Sequence, residues 1–113
     1  MEIRNYQKQG LNPNPHGIES SKIYDRENAL IMHLTLQPGE SLKPHITPVD
    51  VAFYVLAGQP HILVGTEKIQ VKADDLIESP KDIVHCIYNE SKQVVRVLVM
   101  KLPRPTSSTQ IVK

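Results

Sequence analysis

From Ala29 to Gln37 the chain reads ALIMHLTLQ, and its side chains divide by twos. Leu30, Met32, Leu34 and Leu36 fall on one side, Ala29, Ile31, His33 and Thr35 on the other. A period of two is that of a strand, whereas a helix repeats its apolar positions at i, i+3 and i+4. The same alternation returns along most of the chain. Pro38-Gly39-Glu40 is a turn, and residues 41–47 and 51–57 read as two strands separated at Pro48. HILVG (61–65) and KIQV (68–71) flank a tight turn at Gly65-Thr66, the signature of a hairpin. DLIES (75–79) is a short strand stopped by Pro80-Lys81-Asp82. IVHCIYN (83–89) and QVVRVLVMKL (93–102) follow, joined at Asn89-Glu90-Ser91. The run VVRVLVM is apolar on both sides, which predicts that both of its faces are covered. Many short strands with turn signals between them, and no helical period, predict an all-β sandwich or barrel.

The ends break the pattern. Residues 1–17 contain NPNPHG and read as an irregular arm, while PRPTSSTQIVK (103–113) reads as a tail that leaves a barrel core of about 18–102. At 113 residues the chain is one domain, long enough to bury a core without disulfides or a structural metal. Its one cysteine, Cys86, allows no intrachain disulfide and favours a reducing compartment. With no apolar leader and no run of membrane-spanning length, a cytoplasmic protein is the expectation. The 13 basic and 12 acidic residues are scattered and aromatic content is 4%, so neither nucleic acid nor a membrane is an expected partner.

No nucleophile elbow, glycine-rich phosphate loop or HExxH helix is present. Two spaced sets of residues stand out instead. Gly39 is followed after five residues by His45, then by Thr47, Val51 and, six residues later, Gly58. Further on come Asp74, Pro80, Asp82, His85 and Asn89. This spacing resembles the two motifs of the cupins. The first cupin motif has glycine, histidine, histidine, glutamate and glycine at the places of Gly39, His45, Thr47, Val51 and Gly58. The second has glycine, proline, glycine, histidine and asparagine at those of Asp74, Pro80, Asp82, His85 and Asn89.

The resemblance covers about residues 29–102 and implies a cupin-type double-stranded β-helix, a jelly-roll barrel. In metal-binding cupins the two histidines and the glutamate of the first motif join the histidine of the second around one ion. Here only His45 and His85 are imidazoles at those four places, because Thr47 is a poor ligand and Val51 is none. One expectation is a divalent zinc, manganese, iron or nickel ion held by His45 and His85. The other is a pair of pocket histidines hydrogen-bonded to backbone or water, since two imidazoles alone hold such an ion weakly.

Alternation predicts the lining of the cup: Met32 and Leu34, then His45 and Thr47, then Val51, Phe53 and Val55, and finally His85, Ile87 and Asn89. A mostly apolar wall with a few convergent polar groups is the make-up of a small-molecule site. The leading expectation is a protein that binds a small organic ligand, oriented by His45 and His85. A metal-dependent cupin isomerase or dioxygenase of a small polar substrate is the second, and a non-catalytic oligomerisation or interaction module the third. The resemblance and the apolar outer faces imply a homodimer. Asp50 faces outward on a regular strand and inward only if the chain bulges after Pro48. His33 and His61 alternate with core positions and belong on outer faces, while His16 has no placement. Cys86 points away from His85 and reads as a buried structural thiol. Tyr54 and Tyr88 read as packing or dimer contacts, and Asp74-Asp75 as a solvated turn.

Overall fold

Ten strands carry nearly all the regular structure of the computed structural model, which describes residues 1–112. They are β1 (Glu19–Arg26), β2 (Ala29–Leu36), β3 (His45–Ile46), β4 (Asp50–Ala57), β5 (His61–Val64), β6 (Glu67–Gln70), β7 (Leu76–Ser79), β8 (Val84–Tyr88), β9 (Val95–Leu102) and β10 (Gln110–Ile111). A 3-10 turn at Tyr6–Lys8 is the helical element among the described residues, and no helix is long and apolar enough to cross a membrane. The strands form two antiparallel five-stranded sheets, ordered β1-β2-β9-β4-β7 and β10-β3-β8-β5-β6.

Alternation selects which side chains meet between the sheets. Val51, Phe53 and Val55 on β4, Val95, Val97 and Val99 on β9, and Ile87 on β8 are all buried. On β9 the inner valines are covered, but the outer Leu98 and Met100 are only half-buried, so the two faces are not covered alike.

Three segments differ from the alternation reading. The stretch 41–47 is not one strand: Ser41 makes a single bridge to Tyr88, and pairing resumes only at His45–Ile46. Pro44 and Pro48 bracket that pair, and neither has an N–H to give to a ladder. Strand β1 has no clear alternation because its register shifts between Lys22 and Tyr24, which puts its two halves out of phase. Against the expectation of a departing tail, the chain beyond Leu102 returns: Gln110 and Ile111 pair with Ile46 and His45, and the Val112 N–H donates to the Pro44 carbonyl at 2.9 Å. That return is held by backbone groups, which leave no mark in the side-chain pattern.

The register sets the site. His45 lies directly across from His85, Val51 across from Ser79, and Lys101 across from both Leu30 and Val51.

Candidate functional site

His85 sits in the interior of the second sheet with its ring edge-on to Phe53, centroids 5.1 Å apart. Ser79 Oγ lies 2.7 Å from its Nδ1, and Thr47 Oγ1 lies 3.1 Å from its Nε2. Burial, followed by repulsion from His45, Lys101 and His16, the two imidazoles contributing only when protonated, pushes its pKa down to about 3. The ring is therefore neutral near pH 7. A neutral imidazole has one donor and one acceptor nitrogen, so one hydroxyl accepts from His85 and the other donates to it. Both nitrogens are taken.

His45 stacks edge-on against His85, with centroids 4.5 Å apart and planes at 76°. Its Nδ1 is 2.7 Å from the Lys43 carbonyl. A carbonyl only accepts, so Nδ1 carries the proton and Nε2 keeps a lone pair. Burial lowers this pKa too. The same Lys43 orients a third ring: its N–H donates to Nδ1 of His16 at 2.8 Å, which leaves the proton of neutral His16 on Nε2. The His16 and His45 centroids are 4.8 Å apart. Burial first, then His45, Lys43 and Lys101, push His16 down to about 4.

Beside these rings is an open cavity of about 230 Å³. Leu30, Met32, Leu34 and Val99 form its apolar wall. Asn12, Asn14 and His16 come to it from the N-terminal arm, Ser20 and Lys22 from β1, Lys101 from β9, and Thr109 from the returning tail.

Of the residues expected to line a cup, Met32, Leu34 and His45 are on this wall. Thr47 and His85 are buried next to it but do not line it, and Val51, Phe53, Val55 and Ile87 belong to the core between the sheets. Asn89 is buried at a turn, where its Nδ2 donates to the carbonyls of Leu36 and Gln93 and its Oδ1 accepts from Ser91. Asp50 is exposed and accepts the Lys81 N–H at 2.9 Å. Cys86 is buried with its thiol toward the Leu42 carbonyl, and burial raises its pKa. His33 is on the outer face of the first sheet yet buried there, because Tyr6 stacks on it at 3.6 Å and Arg96 Nε donates to its Nε2 at 3.1 Å.

Sequence reading missed His16, Ser79 and Lys101. Lys101 had a signal, since it continues the inward series Val95, Val97, Val99 by one more step of two. Ser79 follows Ile77 by the same rule, on a strand of only four residues. His16 had none, because its bond to Lys43 crosses 27 positions from a segment without period.

These residues do not fit the metal set that the cupin motifs imply. Both nitrogens of His85 are engaged, Thr47 Oγ1 is bonded to one of them, and Val51 has no donor atom. Three histidine rings do meet here, but among the described residues no group of three histidine, cysteine, aspartate or glutamate side chains is arranged to hold a metal ion.

Two antiparallel sheets wrapped into a barrel beside such a cavity define a double-stranded β-helix. Residues 32–101 match the cupin domain family, and the chain belongs to it. Solved structures agree in fold. A protein from Thermus thermophilus is 27% identical, with a TM-score of 0.80 over 93% of this chain and 100% of that one. A double-stranded β-helix protein from Klebsiella pneumoniae is 15% identical, with a TM-score of 0.83 over 100% of this chain and 98% of the other. A polyketide cyclase from Streptomyces resistomycificus is 17% identical, with a TM-score of 0.84 over 100% of this chain and 86% of the cyclase. At the two lower identities the likeness speaks to the fold alone. Among curated proteins, none matches the chain.

Proposed function

We propose that this cupin binds a small organic molecule in the cavity between the N-terminal arm and the inner face of the first sheet. His45 orients the ligand through its unprotonated Nε2, and His85 packs against His45 from the interior. The observation that supports this is the division of the wall: a continuous apolar side of Leu30, Met32, Leu34 and Val99, and a polar side that includes two imidazoles fixed by Lys43. Apolar walls with few, well-placed polar groups are what small-molecule sites have. A cavity of roughly 150 Å³ already admits benzene, so about 230 Å³ suits a molecule of that size or slightly larger. A thermal-shift screen of small metabolites is expected to give binders whose affinity falls about tenfold in His45→Ala, the effect of one net hydrogen bond. A screen with no binders, or binders indifferent to that change, removes the site.

Pairing of two copies is supported by a different observation. On the outer face of the first sheet Ile31, Met100 and Ala52 are cross-strand neighbours, and all three are only half-buried. The next row of the same face runs Leu98, Tyr54 and Leu76, the last 54% exposed. Contiguous apolar surface of this kind marks a contact site. Sedimentation at micromolar concentration is expected to show a dimer, and a monomer there overturns the pairing.

A further inference from the structure

We infer that the cavity takes an organic anion, a small carboxylate with an apolar body, and that Lys101 is the cation that receives it. This rests on the ligand-binding reading above and names its substrate class.

The charges on the wall are one-sided. Lys22 and Lys101 line the cavity, and none of the lining residues is acidic. Lys22 has a partner in Asp25 at 3.7 Å, an aspartate that also receives Arg104 at 3.1 Å. Lys101 belongs to none of the ion pairs among the described residues. Its position makes that unusual. It stands on the inner face of β9, opposite Leu30 and Val51, where the three preceding inward residues are valines. A lysine drawn to the apolar side of a sheet is ordinarily paired there, because taking an ammonium from water without a counter-charge is costly. The cavity is the open space beside it, so the missing negative charge has one place to enter.

The hydrogen-bonding groups agree. A carboxylate only accepts, and neutral His16 has its Nε2–H free because its Nδ1 is held by Lys43. His45 offers only a lone pair at Nε2, which turns a carboxylate away from itself and suits a hydroxyl or the edge of a ring. Electrostatics point the same way. Burial and then Lys22 hold the Lys101 amine below the ordinary lysine range, and Lys101 in turn helps depress His16, His45 and His85. No acidic group contributes to any of these shifts, so the cavity is a positive field without its counter-ion. The apolar wall receives the rest of the molecule.

The test is calorimetry at pH 7 and low salt with two matched pairs, benzoate against benzamide and hexanoate against hexanamide. Wild type is expected to bind each acid at least tenfold more tightly than its amide. Lys101→Met is expected to abolish that preference while amide binding persists, and Lys101→Arg to retain it. Thermal melts of both variants confirm that each is folded. Equal binding of acid and amide by wild type overturns the anion inference and leaves the ligand-binding reading standing. A preference that survives Lys101→Met overturns the role of Lys101. Binding of neither acids nor amides overturns the inference and the reading beneath it together.

Discussion

Asp74 and Asp82 occupy the two glycine places of the second motif, and both have the backbone that glycine favours, with φ of 74° and 63°. The left-handed region costs an ordinary L-residue about 1–2 kcal/mol, and aspartate is among the few that visit it. The two sites differ in what offsets the strain. Asp74 Oδ1 accepts the Tyr54 hydroxyl at 2.9 Å. Asp82 is exposed, and its contribution is through the backbone: its N–H donates to the Thr47 carbonyl at 3.0 Å, steadying the segment that brings Thr47 to His85. Asp82→Gly keeps that bond and releases the strain, less the extra chain entropy that glycine loses on folding. It is expected to stabilise the protein by about 0.5–1 kcal/mol. The measurement is a denaturant midpoint that rises at unchanged slope. Asp74→Gly should gain less, because it also gives up the bond to Tyr54.

At the scale of elements, alternation was a good guide wherever one face of a strand enters the core and the other does not. That is why β4, β7 and β9 were legible, with ends shifted by a residue or two, whereas β2 and β8, buried in part on both faces, and β6, exposed along its length, were marked by the turns around them. It failed where the backbone departs from a plain ladder. The bulge in β1 interrupts its period, the prolines around β3 leave it two residues long, and β10 is too short to have a period. The site divides along the same line. Met32, Leu34 and His45 were reached by counting in twos, and so was the depth of Thr47 and His85. His16 belongs to an arm whose position depends on a backbone N–H far along the chain, which no local pattern encodes. Lys101 was within reach of the count, but apolar residues define the inward series, and a charge at its end reads as the point where the core stops. Here the series continues through the charge.

For the molecule as a whole, the notable property is how many histidines are held neutral. Burial dominates in each case, with positive neighbours adding to it. It takes His16 and His33 to about 4 and His85 to about 3, and it lowers His45 as well. All lie below the ordinary value of 6.5, so as pH falls the unfolded chain takes up protons before the folded one does. Stability is therefore full above about pH 6.5 and declines as pH drops toward 4 and 3. For fully buried His85, one and a half units below the ordinary value correspond to a loss of about 2 kcal/mol by pH 5. With the other three acting in the same direction, the total becomes a sizeable share of the roughly 5–15 kcal/mol that holds a domain together. Thermal melts between pH 8 and pH 4 are expected to show a midpoint that is level above pH 6.5 and falls steeply below it. A midpoint unchanged down to pH 5 contradicts the buried, neutral histidines.

The contact between Thr47 and His85 also fixes a direction of travel through sequence space. Two substitutions, Thr47→His and Val51→Glu, separate this chain from the full cupin ligand set, and the two orders of making them are not equivalent. Val51→Glu first places a carboxylate in the core, beside a ring whose nitrogens are already taken, at a cost on the order of several kcal/mol. Thr47→His first withdraws the hydroxyl from His85 Nε2 and puts an imidazole in its place. The chain then has three rings able to hold an ion before the acid arrives, and the acid enters beside a cation instead of alone. Thr47 is itself fully buried, so the larger ring must be accommodated too, but it brings no charge into the core, and the order that begins with the acid carries the greater cost.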